Sequence, residues 1–187
     1  LEVGEGQQYD VDFETREDVT SPEYLKMIEY KTAVLVGAAM KMGAIVAETS
    51  EENANLIYDF GLNLGIAFQL QDDYLDAFGD PETFGKQVGG DIIENKKTFL
   101  YLKAVAFSKE EEAQELRRLF AIHPADNFAK IKTVKELFIA SGAAKATQDA
   151  IQDFTFKAFH TLEKMNNNSD KKALLKIFGE NLMGRKV

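Results

Sequence analysis

Three carboxylates crowd one short stretch of the chain, Asp72-Asp73-Tyr74-Leu75-Asp76, with Gln69 shortly before them. At about 100° per residue, a helix sets Asp72 and Asp76 about 40° apart, with Gln69 and Asp73 in neighbouring arcs. Like charges at that spacing oppose one another by a few tenths of a kcal/mol in water, and by more when partly buried. Leu70, Tyr74, Leu75 and Phe78 flank them, so this is not a plain solvated face. A cation would relieve the conflict. Hard oxygen donors suit magnesium, which keeps several waters and joins one or two carboxylates to substrate phosphates. The competing reading is an acidic helix surface that binds nothing.

A second segment follows after one turn signal: Phe84-Gly85-Lys86, then Gly89-Gly90-Asp91 and Lys96-Lys97-Thr98. Glycines, backbone amides and lysines in an otherwise acidic protein can lie against phosphate oxygens, although a charged loop is more often simply solvated. Upstream, Lys31 and Thr32 interrupt an apolar helical run, either as a fixed cation near an anion or as a lysine whose stem packs while its ammonium reaches water. Gln7 and Asp10 read as surface residues when taken alone. His123 and His160 stand apart from any acid–base partner.

The elements that must position these residues read as helices. The chain has 187 residues, 45% hydrophobic and 28% charged, with only 3 prolines and 13 glycines, and its apolar residues recur at three and four. That length fits one domain that hides about 70% of its extended surface without disulfides. There is no cysteine, which excludes thiolate metal sites and cysteine nucleophiles. A net charge of −9 argues against nucleic acid as a partner. The longest near-apolar stretch, 33–40, is far shorter than the roughly 20 residues of a membrane span, and the chain is read as cytoplasmic.

Residues 1–13 read as the tail of an element. Ser21 as N-cap with Pro22 behind it predicts a helix over 21–49, its stripe formed by Met27, Ile28, Val34, Leu35, Ala38, Met42 and Ile45. A central helix is expected over 51–78, with Gly61 and Gly65 admitting a close neighbour, and a loop over 81–90. Further helices are expected from 91–97 to 107, from a Ser108-to-Glu111 capping box to before Pro124, and over 126–140, 143–165 and 170–183, with 166–169 a turn.

Taken together, Gly6-Gln7-Gln8-Tyr9-Asp10, Lys31-Thr32-Ala33, Phe68-Gln69 leading to the acidic motif, and Phe84-Gly85-Lys86 through Asp91 to Lys96-Lys97-Thr98 resemble the trans-prenyltransferases, the polyprenyl diphosphate synthases. The resemblance implies an all-α fold, an isoprenoid-synthase-like helical bundle around a central cavity. It implies condensation of an allylic prenyl diphosphate with isopentenyl diphosphate into farnesyl, geranylgeranyl or polyprenyl diphosphates, three magnesium ions and a homodimer. By that resemblance Asp72 is the principal metal ligand, with Asp73 and Asp76 beside it or acting through water. Lys31, Lys86 and Lys96 grip the allylic diphosphate, and Thr32 and Gln69 line the path of the developing carbocation. Phe68 borders the isopentenyl pocket, while Gln7 and Asp10 support the metal site from behind.

The family's first aspartate-rich motif, which should precede Gly6, is not in this sequence. Residues 1–187 are therefore expected to be the C-terminal part of a single synthase domain, lacking its N-terminal helices and inactive alone. Competing readings are a noncatalytic partner subunit on the same fold, a terpene-cyclase-like or squalene-synthase-like enzyme, and a plain helical bundle. Retention of Lys31, Gln69, the three aspartates and Lys86 disfavours the noncatalytic subunit, and the Lys-Thr pair with the Gly-Lys loop favours elongation over cyclisation.

Overall fold

In a computed structural model the described residues are 1–80, 88–165 and 169–184, without the side chain of Ser169. They form helices and no strand: α1 (Glu2–Thr15), α2 (Ser21–Ile28), a π-turn (Glu29–Ala33), α3 (Val34–Val46), α4 (Glu51–Phe78), α5 (Gly90–Ile93), α6 (Phe99–Phe107), α7 (Glu110–Leu119), α8 (Phe128–Ala140), α9 (Ala143–Glu163) and α10 (Ser169–Met183). The all-α expectation holds. None of these helices is long and apolar enough to cross a membrane. The chain divides into two compact units: Leu1–Tyr9, Leu25–Gln69 and the chain from Ala150 in one, Asp10–Tyr24 and Leu70–Asp149 in the other.

The first unit is built on close backbone approach. Its core packs Phe60 and Leu64 of α4 with Ala158, Leu162 and Met165. A Cβ on Gly61 would stand 2.9 Å from the Cα of Gly37, and one on Gly65 would stand 2.8 Å from the Cα of Ala33. Each glycine costs about 1 kcal/mol of helix propensity against alanine, and the return is the close approach of a neighbour that the sequence predicts, here α3 and the π-turn. Ser50 caps α4 by accepting the Asn53 amide at 3.3 Å, and Glu51 and Glu52 face the positive end of its dipole.

The helix expected over 21–49 is interrupted at Glu29–Ala33, where the Val34 amide donates to the Glu29 carbonyl, five residues back. The added residue turns the following face by about 100°, so of the expected stripe Val34 stays buried while most of its later members turn outward. Leu35, Met42 and Ile45 are 59%, 60% and 58% exposed, while Ala33, Gly37 and Ala44 are buried.

In the second unit three boundaries also differ from expectation. The cap of α2 is Thr20 and not Ser21: Glu23 accepts the Thr20 amide at 2.8 Å and its hydroxyl at 2.7 Å, a capping box one residue earlier. The helix expected to start near 91–97 and run to 107 starts later, at Phe99, behind the separate short helix α5. Asn95 adopts a left-handed φ of 59°, which asparagine tolerates, and Thr98 is extended before α6 begins. The start of α7 is one residue late, because Glu112 and not Glu111 accepts the Lys109 amide, at 3.2 Å. The core here includes Leu70, Leu100, Leu116, Val134 and Phe138, and the rings of Tyr101 and Phe120 lie 4.2 Å apart.

Candidate functional site

In the second unit, the last turns of α4 carry Asp72, Asp73 and Asp76 into three different environments. Asp72 and Asp76 are half-buried. Asp73 is only 6% exposed and accepts a short hydrogen bond from the hydroxyl of Tyr24, itself 5% exposed. Burial, and then the Asp73 charge, push the Tyr24 hydroxyl well above its ordinary range, so it stays a neutral donor.

Asp76 reaches the start of α5. Its Oδ2 accepts the Asp91 amide at 2.9 Å, and its backbone carbonyl accepts the Gly89 amide at 2.6 Å. A Cβ on Gly90 would sit 3.1 Å from Asp76 Oδ1, so a glycine there lets the carboxylate approach closely. Burial, followed by the Asp91 charge, pushes the Asp76 carboxyl up to about 6 despite the amides. Burial raises Asp91 as well. Lys96 partly offsets this, with Nζ 3.2 Å from Asp91 Oδ1 and 2.9 Å from Glu94. Hydrogen bonding to Glu94 first, then the Asp91 charge, holds the Lys96 ammonium above its usual range. Lys97 turns the other way. Its Nζ lies 3.4 Å from the carbonyls of Phe13 and Glu14 and closer to that of Arg16, satisfying the end of α1.

In the first unit, Lys31 and Thr32 sit inside the π-turn, a distortion that recurs at functional sites. Gly6 explains how α1 reaches it, because a Cβ there would fall 2.7 Å from the Lys31 Cα. Thr32 Oγ1 donates to Gln69 Oε1 at 3.2 Å, which joins two of the residues singled out from sequence. Phe68 and Asp10 are half-buried, and Gln7 is exposed. Lys86, with Phe84 and Gly85, lies outside the described residues.

Sequence reasoning gives no role to Asp91, although it falls within the glycine-and-lysine segment, nor to Tyr24. The aromatic residue after Thr-Ser-Pro-Glu is a faint signal, since only the fold brings it to Asp73. Among the described residues no three acidic or histidine side chains gather into a metal cage. The donors fit magnesium in another way. Two half-buried carboxylates with a raised Asp76 leave negative charge short of partners, as suits an ion that arrives with its own waters and phosphate oxygens.

The sequence pattern of the Polyprenyl synthetase family matches residues 1–138. The chain belongs to that family. Among polyprenyl synthetase relatives, a short chain isoprenyl diphosphate synthase of Methanothermobacter thermautotrophicus is 36% identical over 177 residues, 95% of this chain and 54% of that protein. A geranylfarnesyl diphosphate synthase of Aeropyrum pernix is 31% identical over 186 residues, 99% of this chain and 57% of that protein. Thus the chain spans about half the length of the curated relatives it matches. A crystal structure of a geranylgeranyl pyrophosphate synthase superposes with a TM-score of 0.93 at 56% identity, covering 100% of this chain and 58% of that one. A polyprenyl synthase from Caulobacter crescentus CB15, complexed with calcium and isoprenyl diphosphate, gives a TM-score of 0.87 at 34% identity over 98% of this chain and 56% of that one.

Proposed function

We propose that this chain serves a magnesium-dependent prenyltransferase that joins an allylic prenyl diphosphate to isopentenyl diphosphate, producing longer trans-prenyl diphosphates in the farnesyl, geranylgeranyl or polyprenyl range. The carrying observation is the acidic end of α4, where Asp76 is raised to about 6 by burial and by Asp91 and so wants a cation. Support comes from relatives that are prenyl diphosphate synthases, one of them a Corynebacterium glutamicum protein complexed with isoprenyl diphosphate and magnesium.

In this reading Asp72 and Asp76 hold magnesium, with Asp73 beside them, and three ions are used in all. Bound magnesium would stabilise the charge that builds on the departing diphosphate. Lys31, Lys86 and Lys96 hold the same diphosphate through charge-assisted hydrogen bonds. The Thr32 and Gln69 oxygens face the allylic carbon as it becomes positive, and Phe68 walls the isopentenyl group. Gln7 and Asp10 support the acidic motif. The carbon–oxygen electron pair leaves with diphosphate, the isopentenyl double bond attacks the allylic carbon, and a proton is then lost. No protein nucleophile is required. We assign residues 1–187 to one part of a single cytoplasmic, homodimeric synthase domain, and a polypeptide of these residues alone should turn over little, because three ions need a second acidic motif.

The test is thermal unfolding of the natively expressed protein with magnesium and an allylic diphosphate analogue. A rise in Tm that needs both ligands supports the site through preferential binding to the folded state. No rise favours the plain bundle. Asp72→Ala should lower turnover about a hundredfold with folding retained; full turnover in that variant removes Asp72 from the mechanism. Brisk elongation by the 187-residue polypeptide alone would refute the need for a second motif.

A further inference from the structure

We propose that Tyr24 is a positioning residue for the acidic end of α4: its hydroxyl holds Asp73 inside the second unit and thereby sets the rotation at which Asp72 and Asp76 are presented. The chemistry served rests on the function proposed above, whereas the positioning rests on geometry alone.

Three observations converge. First, Tyr24 is fixed at both ends. Its amide donates to the Thr20 carbonyl at 3.0 Å, directly after the capping box in which Glu23 binds Thr20, and Glu23 also accepts Arg16 Nη2 at 2.9 Å. Second, the hydroxyl and the Asp73 carboxylate are both buried and meet across 49 residues of sequence. A buried carboxylate without donors would be costly, so this contact favours one rotation of the helix end over others. Third, Asp73 lies about 100° from Asp72 and about 60° from Asp76 around the helix axis. Turning Asp73 inward therefore leaves its two neighbours at the half-buried edge, where Asp76 meets α5. Tyr24 touches no substrate in this scheme, and it acts through Asp73.

The experiment uses the natively expressed protein and the variants Tyr24→Phe, Asp73→Asn, Asp73→Leu and the Tyr24→Phe/Asp73→Leu double, with Asp72→Asn as a benchmark. Turnover and the magnesium concentration for half-maximal turnover are measured alongside Tm. Tyr24→Phe keeps the ring and removes only the donor, so turnover should fall about tenfold and the magnesium midpoint should rise, with the isopentenyl KM unmoved. Asp73→Asn still accepts from the hydroxyl, so its metal-free Tm should stay close to that of Asp72→Asn, whereas Asp73→Leu should lower it by several degrees. The double variant should be no worse than Asp73→Leu, because both changes break one contact.

Wild-type turnover and magnesium midpoint in Tyr24→Phe, multiplying losses in the double, or a metal-free Tm as low in Asp73→Asn as in Asp73→Leu would each overturn the proposal. Should Tyr24→Phe fail to fold, the metal-free Tm values of Asp73→Asn and Asp73→Leu decide alone: a higher value for Asp73→Asn supports the contact, and equal values overturn it. Absence of prenyl transfer by the unaltered protein would instead defeat the functional reading. The positioning claim would then be decided by the Tm rise with magnesium and inorganic diphosphate, which Tyr24→Phe should reduce and which an unchanged rise would refute.

Discussion

The π-turn of the first unit and the acidic end of α4 in the second both hold polar side chains inside helical packing, by opposite means. Around the π-turn, space is removed: Gly6, Gly37, Gly61 and Gly65 let backbones approach closely, and the polar pair Thr32 and Gln69 is neutral and bonded to itself. At the end of α4, charge is gathered. Asp73 finds a donor in Tyr24, while Asp76 and Asp91 are both buried enough to be raised, and Lys96 balances only part of their charge. The first region is complete as a folded object. Under the function proposed above, the second would gain its last stabilisation from a bound cation.

That contrast is open to direct attack, beginning with the largest effect. Asp76→Asn keeps an acceptor for the Asp91 amide and removes the disfavoured charge. Turnover in the natively expressed protein should fall about a hundredfold while the Tm measured without metal at neutral pH rises. A fall in that Tm would mean that the acidic end is satisfied without a cation. In the first unit the outcome should reverse, with Gly6→Ala lowering Tm by several degrees. Its new Cβ would press on the Lys31 backbone, an overpacking worth about 1–3 kcal/mol. An unchanged Tm would show that α1 can move aside freely.

A smaller effect is expected from pH in the absence of metal. Asp76 titrates at about 6 in the folded chain against 3.8 as its ordinary value. Between those values the folded form keeps a proton that the unfolded form has lost, so stability should fall as pH rises through that window. Chemical denaturation across pH values that bracket the window measures this slope, and Asp76→Asn should lessen it. The smallest effect belongs to Thr32→Val, which removes the donor to Gln69 and should cost about 0.5–1.5 kcal/mol. A loss as large as that of Gly6→Ala would mean that the hydroxyl, and not the close packing, holds the π-turn.

Much of this was legible in the chain. The bounds of α4 followed from apolar residues around most of the helix and from the Gly79-Asp80-Pro81 turn, both local signals. The glycine approach at Gly61 and Gly65 was legible too, because a glycine in a helix interior otherwise only costs stability. What escaped was the identity of partners distant in sequence and the local breaks that they impose. The π-turn depends on what packs against Glu29–Ala33, including Gly6, and no periodicity within 21–49 announces it. The break at Asn95 likewise joins an asparagine side chain to Ile122 and Lys130, far along the chain.

By itself the sequence determined the helical class, the central helix, the carboxylates near one arc and the family, since these depend on residue types at short spacing. Only the tertiary structure decided which carboxylate is buried against Tyr24, which one shares its surroundings with Asp91, and which lysine serves the acids while its neighbour closes a helix end. Burial and long-range hydrogen bonds set those differences, and neither is a property of a residue and its near neighbours alone.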